Sequence, residues 1–144
     1  MKARISVFTL GVADLEKSVA FYRDGLGLKT DGIIGKEFEY GAVAFFDLQN
    51  GLKLALWPKK SISKDTNIPE RPASSLEFTI GHNVNSREEV DVVMKEAENA
   101  GAKIIKSAQE TFYGGYSGYF QDPDGHLWEV VWNPAFEVNE QRLS

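Results

Sequence analysis

Residues 112–133 read FYGGYSGYFQDPDGHLWEVVWN, two aromatic- and glycine-rich segments on either side of Asp122-Pro123-Asp124-Gly125. Proline presets φ for the first corner of a turn and glycine supplies the positive φ of its exit, so the chain must reverse here. Beyond the turn, alternation puts Trp128, Val130 and Trp132 on one face of a strand and Leu127, Glu129 and Val131 on the other. Glu129 is then a carboxylate in an otherwise apolar strand. A charge in that setting calls for a partner, a metal or a polar cavity.

Upstream of this hairpin, residues 76–84 predict a strand. Ser86 with Glu89 three residues on makes a capping box, and Val90, Val93, Met94 and Ala97 form the apolar stripe of a helix ending at Gly101. Residues 103–105, 116–121 and 127–133 predict three further strands. The first half has the same plan. Residues 5–10 are β-prone, Asp14 is an N-cap, and Leu15, Val19, Tyr22 and Leu26 recur at helical spacing, closed by Gly25 and Gly27. Strands are predicted over 30–34, 42–48 and 52–57, with Asn50-Gly51 as a hairpin turn. A shift of 72 residues carries Val12 onto Val84 and Asp14 onto Ser86. The chain therefore reads as one domain built from two βαβββ modules, residues 1–58 and 75–135. Residues 59–74 have linker composition, and residues 136–144 form a tail without periodicity. A single module leaves half of its apolar surface bare, so the expected fold class is α+β, with the two modules pairing around a shared cleft.

Composition excludes several classes of function. A net charge of −5 argues against nucleic acid or an anionic membrane as partner, and the adjacent basic pair Lys59-Lys60 reads as solvated surface. With no cysteine there is no disulfide framework, thiolate site or cysteine nucleophile. The start MKARISVF lacks the apolar core of a signal peptide, so a soluble cytoplasmic protein is expected. No phosphate loop, nucleophile elbow or His-Glu-x-x-His helix is present, and Gly25-Leu26-Gly27 ends a helix rather than opening one.

The D-P-D-G-x-x-x-E pattern of residues 122–129 resembles the last hairpin of the vicinal oxygen chelate superfamily, which includes glyoxalase I, the extradiol dioxygenases and the bleomycin-resistance proteins. LGVADLEKSVAFYRDGLGL, residues 10–28, is a second match, and the resemblance covers nearly the whole chain. It implies a curved, half-open, barrel-like sheet around a cleft, helices on the outside, and a homodimer. The apolar tail residues Phe136, Val138 and Leu143 have no periodic home within one domain, which points the same way.

Metal enzymes of that superfamily draw ligands from four strands, the first usually seven residues before the helix-capping Asp. Here that position is Val7, which has no donor atom, and seven before Ser86 is Thr79, a poor ligand. Ala55 aligns with the remaining carboxylate position, which leaves Glu129 alone. One carboxylate cannot hold Zn²⁺ or Fe²⁺, so neither metal nor other cofactor is expected. His82 falls on the strand face opposite Thr79 and needs a bulge to turn inward, and His126 reads as a hairpin cap.

Among the aromatics, Phe46, Phe120, Trp128 and Trp132 read as core, whereas Trp57, Tyr113 and Tyr119 are pocket candidates. Gly114, Gly115 and Gly118 leave room for a ligand or another backbone, or mark a bend in a curved sheet. The expected function is binding of a small, mostly apolar or aromatic molecule in the cleft. Its contacts would be Val7, Ala55, Trp57, Thr79, Tyr113 and Tyr119, with Glu129 as the recognising or catalytic carboxylate. The alternative is a metal-dependent lyase, isomerase or dioxygenase with a site rebuilt through His82 or a partner chain. The missing donors at Val7 and Ala55 favour the first reading.

Overall fold

The computed structural model describes residues 1–136 and 138, and the described chain divides into two compact units between Pro72 and Ala73. Leu143 of the expected dimer tail lies outside the described residues.

In the first unit, β1 (Val7–Val12) leads into α1 (Leu15–Val19), and β2 (Thr30–Ile34), β3 (Val43–Asp47) and β4 (Lys53–Pro58) follow. The strand order is β1-β4-β3-β2, with β1 parallel to β4 and the remaining pairs antiparallel. Asp14 caps α1 as expected, its Oδ1 accepting from the Lys17 amide at 3.1 Å. The helical path then widens into a π-turn over Ala20–Gly25, in which the Leu26 amide reaches back five residues to the Phe21 carbonyl. The extra residue in that turn buries Phe21 together with Tyr22, and leaves Leu26 only half-buried. Asn50 and Gly51 both adopt positive φ between β3 and β4, the conformation that a tight hairpin connection demands.

Eight residues of the stretch expected as linker form a helix, α2 (Lys59–Thr66), ended by Asn67 in the left-handed region. Pro58 precedes its first turn, where a missing N–H costs nothing. Its Ile62 and Lys59 side chains lie over Gly11 of β1, where an added Cβ would meet them at 3.3 and 3.2 Å. Tertiary packing rather than an apolar repeat therefore makes this helix.

The second unit holds β5 (Ile80–Val84), α3 (Arg87–Asn99), β6 (Lys103–Glu110), β7 (Tyr116–Gln121) and β8 (Leu127–Trp132) in the order β5-β8-β7-β6. That order repeats the first unit strand for strand, and both units together make an α+β fold of two mixed four-stranded sheets. The Ser86 hydroxyl accepts from the Glu89 amide at 3.1 Å, and the Glu89 carboxylate accepts from the Asn85 amide at 3.0 Å. The first strand is shorter than the 76–84 expected. Ser75 donates to the Gly125 carbonyl at 2.5 Å and accepts from Gln121, which ties the entering chain to the β7–β8 turn. Only from Ile80 does the chain join β8.

Each sheet packs one face on its helix. In the first unit Leu10, Ala44, Phe46, Leu54 and Leu56 are buried on that side, with the Tyr22 and Phe46 rings 6.0 Å apart. In the second, Val90, Met94 and Ala97 of α3 meet Val130 and Phe120. Trp128 and Trp132, expected as core, are only half-buried. Trp128 stacks on Phe120 at 6.0 Å, and Trp132 lies under the Arg87 guanidinium at 4.7 Å. Both sit near the ends of β8.

Candidate functional site

Strand alternation leaves a second face on each sheet, opposite α1 in the first unit and opposite α3 in the second, with α2 reaching the first of these faces at Gly11. In the second unit the centre of that face is Glu129, the register partner of Tyr119 on one side and Gly81 on the other. The helix face is fixed by Val130, which is buried and pairs with Gly118 and His82. A Cβ on Gly118 would meet the Met94 methyl group at 2.8 Å and the Ala108 amide at 3.1 Å. The space at Gly118 therefore belongs to α3 and β6 and not to a ligand, so of the two readings of that glycine the close backbone approach is the one seen.

Tyr119 stands directly across from Glu129 in the β7–β8 ladder, with its hydroxyl near enough to the carboxylate to interact with it. Burial raises the pKa of this phenol first of all, the Glu129 charge and hydrogen bond raise it further, and the nearby Tyr113 adds a smaller push. Tyr113 sits on the loop between β6 and β7, its ring in an edge-on contact with Phe112 at 5.2 Å. The ladder brings Glu129 and Tyr119 together. Thr79 is exposed and lies one residue outside the β5 ladder.

The residues expected from the first half occupy the equivalent face of their own sheet. Ala55 pairs with Thr9 and Phe45, Val7 pairs with Lys53, and Trp57 follows Ala55 two residues on. Ala55 is only 2% exposed, while Val7 and Phe45 remain open to solvent. The Trp57 indole N–H donates to the Tyr40 carbonyl at 3.1 Å, which fixes the ring against the β2–β3 loop.

Neither histidine joins Glu129 within the second unit. The β5–β8 register runs from Ile80 to Val84 without a shift, so no bulge turns His82, which stays on the α3 side. Packing lowers its pKa although part of the ring stays open to solvent, and Glu89 and Glu96 of α3 oppose that shift. His126 is held within the turn: Asp122 Oδ2 lies 2.6 Å from its Nδ1, and Asp122 Oδ1 accepts from the Asp124 and His126 amides at 2.9 and 2.8 Å. Asp122, Asp124 and His126 do converge, but these bonds consume the Asp122 oxygens in the hairpin itself.

Two residues of this face carried no expectation. Gly81 stands directly beside Glu129, and Asn83 follows on the same face two positions along. A glycine inside a strand with a polar residue two positions later was the available signal.

The family profile described as "Glyoxalase/Bleomycin resistance protein/Dioxygenase superfamily" matches residues 4–130. The chain belongs to this superfamily. Its relatives include the metallothiol transferase FosB of Lysinibacillus sphaericus, 34% identical over 125 residues that span 87% of this chain and 79% of FosB. A glyoxalase-related enzyme from Fulvimarina pelagi superposes with a TM-score of 0.81 at 31% identity, covering 99% of this chain and 97% of the other. The fosfomycin resistance protein FosX from Listeria monocytogenes superposes with a TM-score of 0.68 at 25% identity, over 94% and 97% of the two chains. Metal chemistry in this superfamily needs several strong donors. Here Val7 and Ala55 carry none, Thr79 offers a hydroxyl, and Glu129 offers a carboxylate.

Proposed function

We propose that this superfamily member binds a small, mostly apolar or aromatic molecule on the Glu129 face of its second unit, without a complete metal site. The observation that carries the reading is the Glu129–Tyr119 pair: a half-buried carboxylate whose partner is a phenol. The phenol supplies one hydrogen bond and leaves the negative charge and further lone pairs of the carboxylate available. Tyr113 and Tyr119 offer amphipathic ring surface at low entropic cost, the usual means of holding a flat ligand. If the bound molecule reacts, Glu129 is the residue placed to take a proton from it.

The reading includes a second copy of the chain as partner, supported by the exposed apolar Phe136 beyond the last strand. Sedimentation at micromolar concentration is expected to show a dimer, and a monomer alone rejects that part. A cytoplasmic setting is part of the same proposal, supported by a composition without cysteine. Among the described residues no helix is long and apolar enough to cross a membrane.

Elemental analysis of untagged protein, purified without chelator, tests the metal-free reading. Wild type and Glu129→Ala are expected to carry the same substoichiometric traces of Zn, Fe, Mn and Ni. One equivalent of any of these that disappears in Glu129→Ala rejects it and favours the metal-dependent lyase, isomerase or dioxygenase.

A further inference from the structure

We propose that the gap beside Gly81 is a subsite for a primary ammonium or amidinium group of the bound molecule, with Glu129 as its counter-ion and the Asn83 carboxamide as a second acceptor. This rests on the metal-free binding reading and adds the chemical class of the ligand.

Gly81 is the direct register partner of Glu129, so the position where a neighbouring side chain would cover the carboxylate is vacant. A Cβ built there meets nothing nearer than the Asn83 carboxamide oxygen at 3.9 Å, and Gly81 is exposed. The opening therefore has solvent on one side and a carboxylate on the other. No strand geometry requires glycine here, because its φ lies outside the left-handed region.

Charge decides what fits the gap. The ion pairs among the described residues are Arg23–Asp24, Lys36–Glu16, Lys53–Asp47, Arg87–Glu110, Lys95–Glu98 and the Asp122–His126 contact. Glu129 is in none of them. Its neighbour across the β7–β8 ladder is the neutral phenol of Tyr119, and no cation of these pairs reaches the half-buried carboxylate. The Asn83 side chain has no hydrogen-bond partner among the described residues and borders the same gap, and its amide can rotate to present oxygen. Glu129 and Asn83 thus supply acceptors, while Tyr119 has already spent its proton on Glu129. An oxyanion would face a carboxylate with no donor aimed at it. A metal ion would find one strong donor. An organic cation with two or three N–H donors matches the set, and its charge-assisted bonds are the strong kind.

The test is calorimetric titration of the full chain in EDTA with three probes of one shape: benzylammonium, benzyl alcohol and benzoate. Wild type is expected to bind benzylammonium about tenfold or more tightly than benzyl alcohol, the scale of a charge-assisted bond, and to give no saturable heat with benzoate. Gly81→Ala fills the gap with a methyl group that meets only the Asn83 carboxamide oxygen, at 3.9 Å. It is expected to weaken benzylammonium about tenfold, to leave benzyl alcohol within a factor of about three, and not to lower the thermal midpoint of the free protein. Asn83→Ala is expected to weaken benzylammonium alone, and gives a second readout that does not depend on filling the gap. Benzylammonium binding unchanged in both variants, or benzoate binding as tightly as benzylammonium, overturns the subsite while benzyl alcohol binding in EDTA keeps the underlying reading intact. Loss of both benzylammonium and benzyl alcohol binding in EDTA, restored by Zn²⁺, overturns the underlying reading itself.

Discussion

The same node of the same strand lattice appears twice in this chain with opposite contents. In the first unit Ala55 is flanked by Phe45 and Thr9, and in the second Glu129 is flanked by Tyr119 and Gly81. The helix-facing sides of the two sheets keep one character, with Phe46 and Leu54 in one and Phe120 and Val130 in the other all buried. The opposite sides have diverged. In the first, a methyl group that is 2% exposed closes the node, whereas in the second a carboxylate, a phenol and an empty side-chain position open it. Repeating the lattice makes the fold, and exchanging three side chains at one node makes the candidate site.

Substitutions in the two helix-facing cores should have the largest effects. Phe46→Ala and Phe120→Ala should each cost about 3–5 kcal/mol in denaturant unfolding, as expected for truncating a buried aromatic. If one of them costs less than about 1 kcal/mol, the two helix faces are not equivalent. Next come two glycines of the second sheet. Gly118→Ala drives a methyl group into Met94 and the β6 backbone, for a loss of about 1–3 kcal/mol. Gly81→Ala on the other face should be neutral or stabilising by up to about 1 kcal/mol. Equal losses at both would mean that Gly81 is packed rather than open.

Titration sharpens the contrast further. Burial, with Glu129 adding to it, raises the Tyr119 pKa above its ordinary value of 10.0. Folding therefore keeps this phenol protonated where the unfolded chain would release the proton. The associated stability is complete below pH 10 and falls as pH rises through the higher folded value. Tyr116, raised mainly by its hydrogen bond to Asp91, acts with the same sign. Stability measured upward from pH 10 should decline less steeply in Tyr119→Phe. In Glu129→Gln, the Tyr119 step of the phenol absorbance titration should move toward the ordinary value without reaching it, because burial remains. An unaltered alkaline limb in both variants would remove the hydrogen bond from the account.

The smallest effect belongs to His82. Packing lowers its pKa below 6.5, so its contribution is present above that pH and is lost as the solution is acidified through the lower folded value. His82→Gln should slightly flatten the acid limb of stability without changing ligand affinity. A change in affinity would place His82 at the site instead of on the α3 side.

Local chemistry made much of this legible. Asp14 and Ser86 announce their helices, Asn50-Gly51 its hairpin, and the turn at residues 122–125 sets the alternation that isolates Glu129. What the residues did not announce depends on contacts distant in sequence. Helix α2 has little apolar pattern and exists by packing on Gly11, and the late start of β5 follows from Ser75 bonding to Gly125, 50 residues away. The π-turn that buries Phe21 leaves no periodic mark. At the site, the missing donors at Val7 and Ala55 could be read by counting. The vacancy at Gly81 could not, because its meaning depends on which residue of β8 stands beside it.

The most direct test is calorimetric titration of benzylammonium into wild type with and without EDTA, and into Glu129→Gln. The affinity should be the same with and without chelator, and Glu129→Gln should lose about 1–3 kcal/mol, the scale of a charge-assisted hydrogen bond. Binding that vanishes in EDTA and returns with Zn²⁺, or an affinity that Glu129→Gln leaves unchanged, would contradict it.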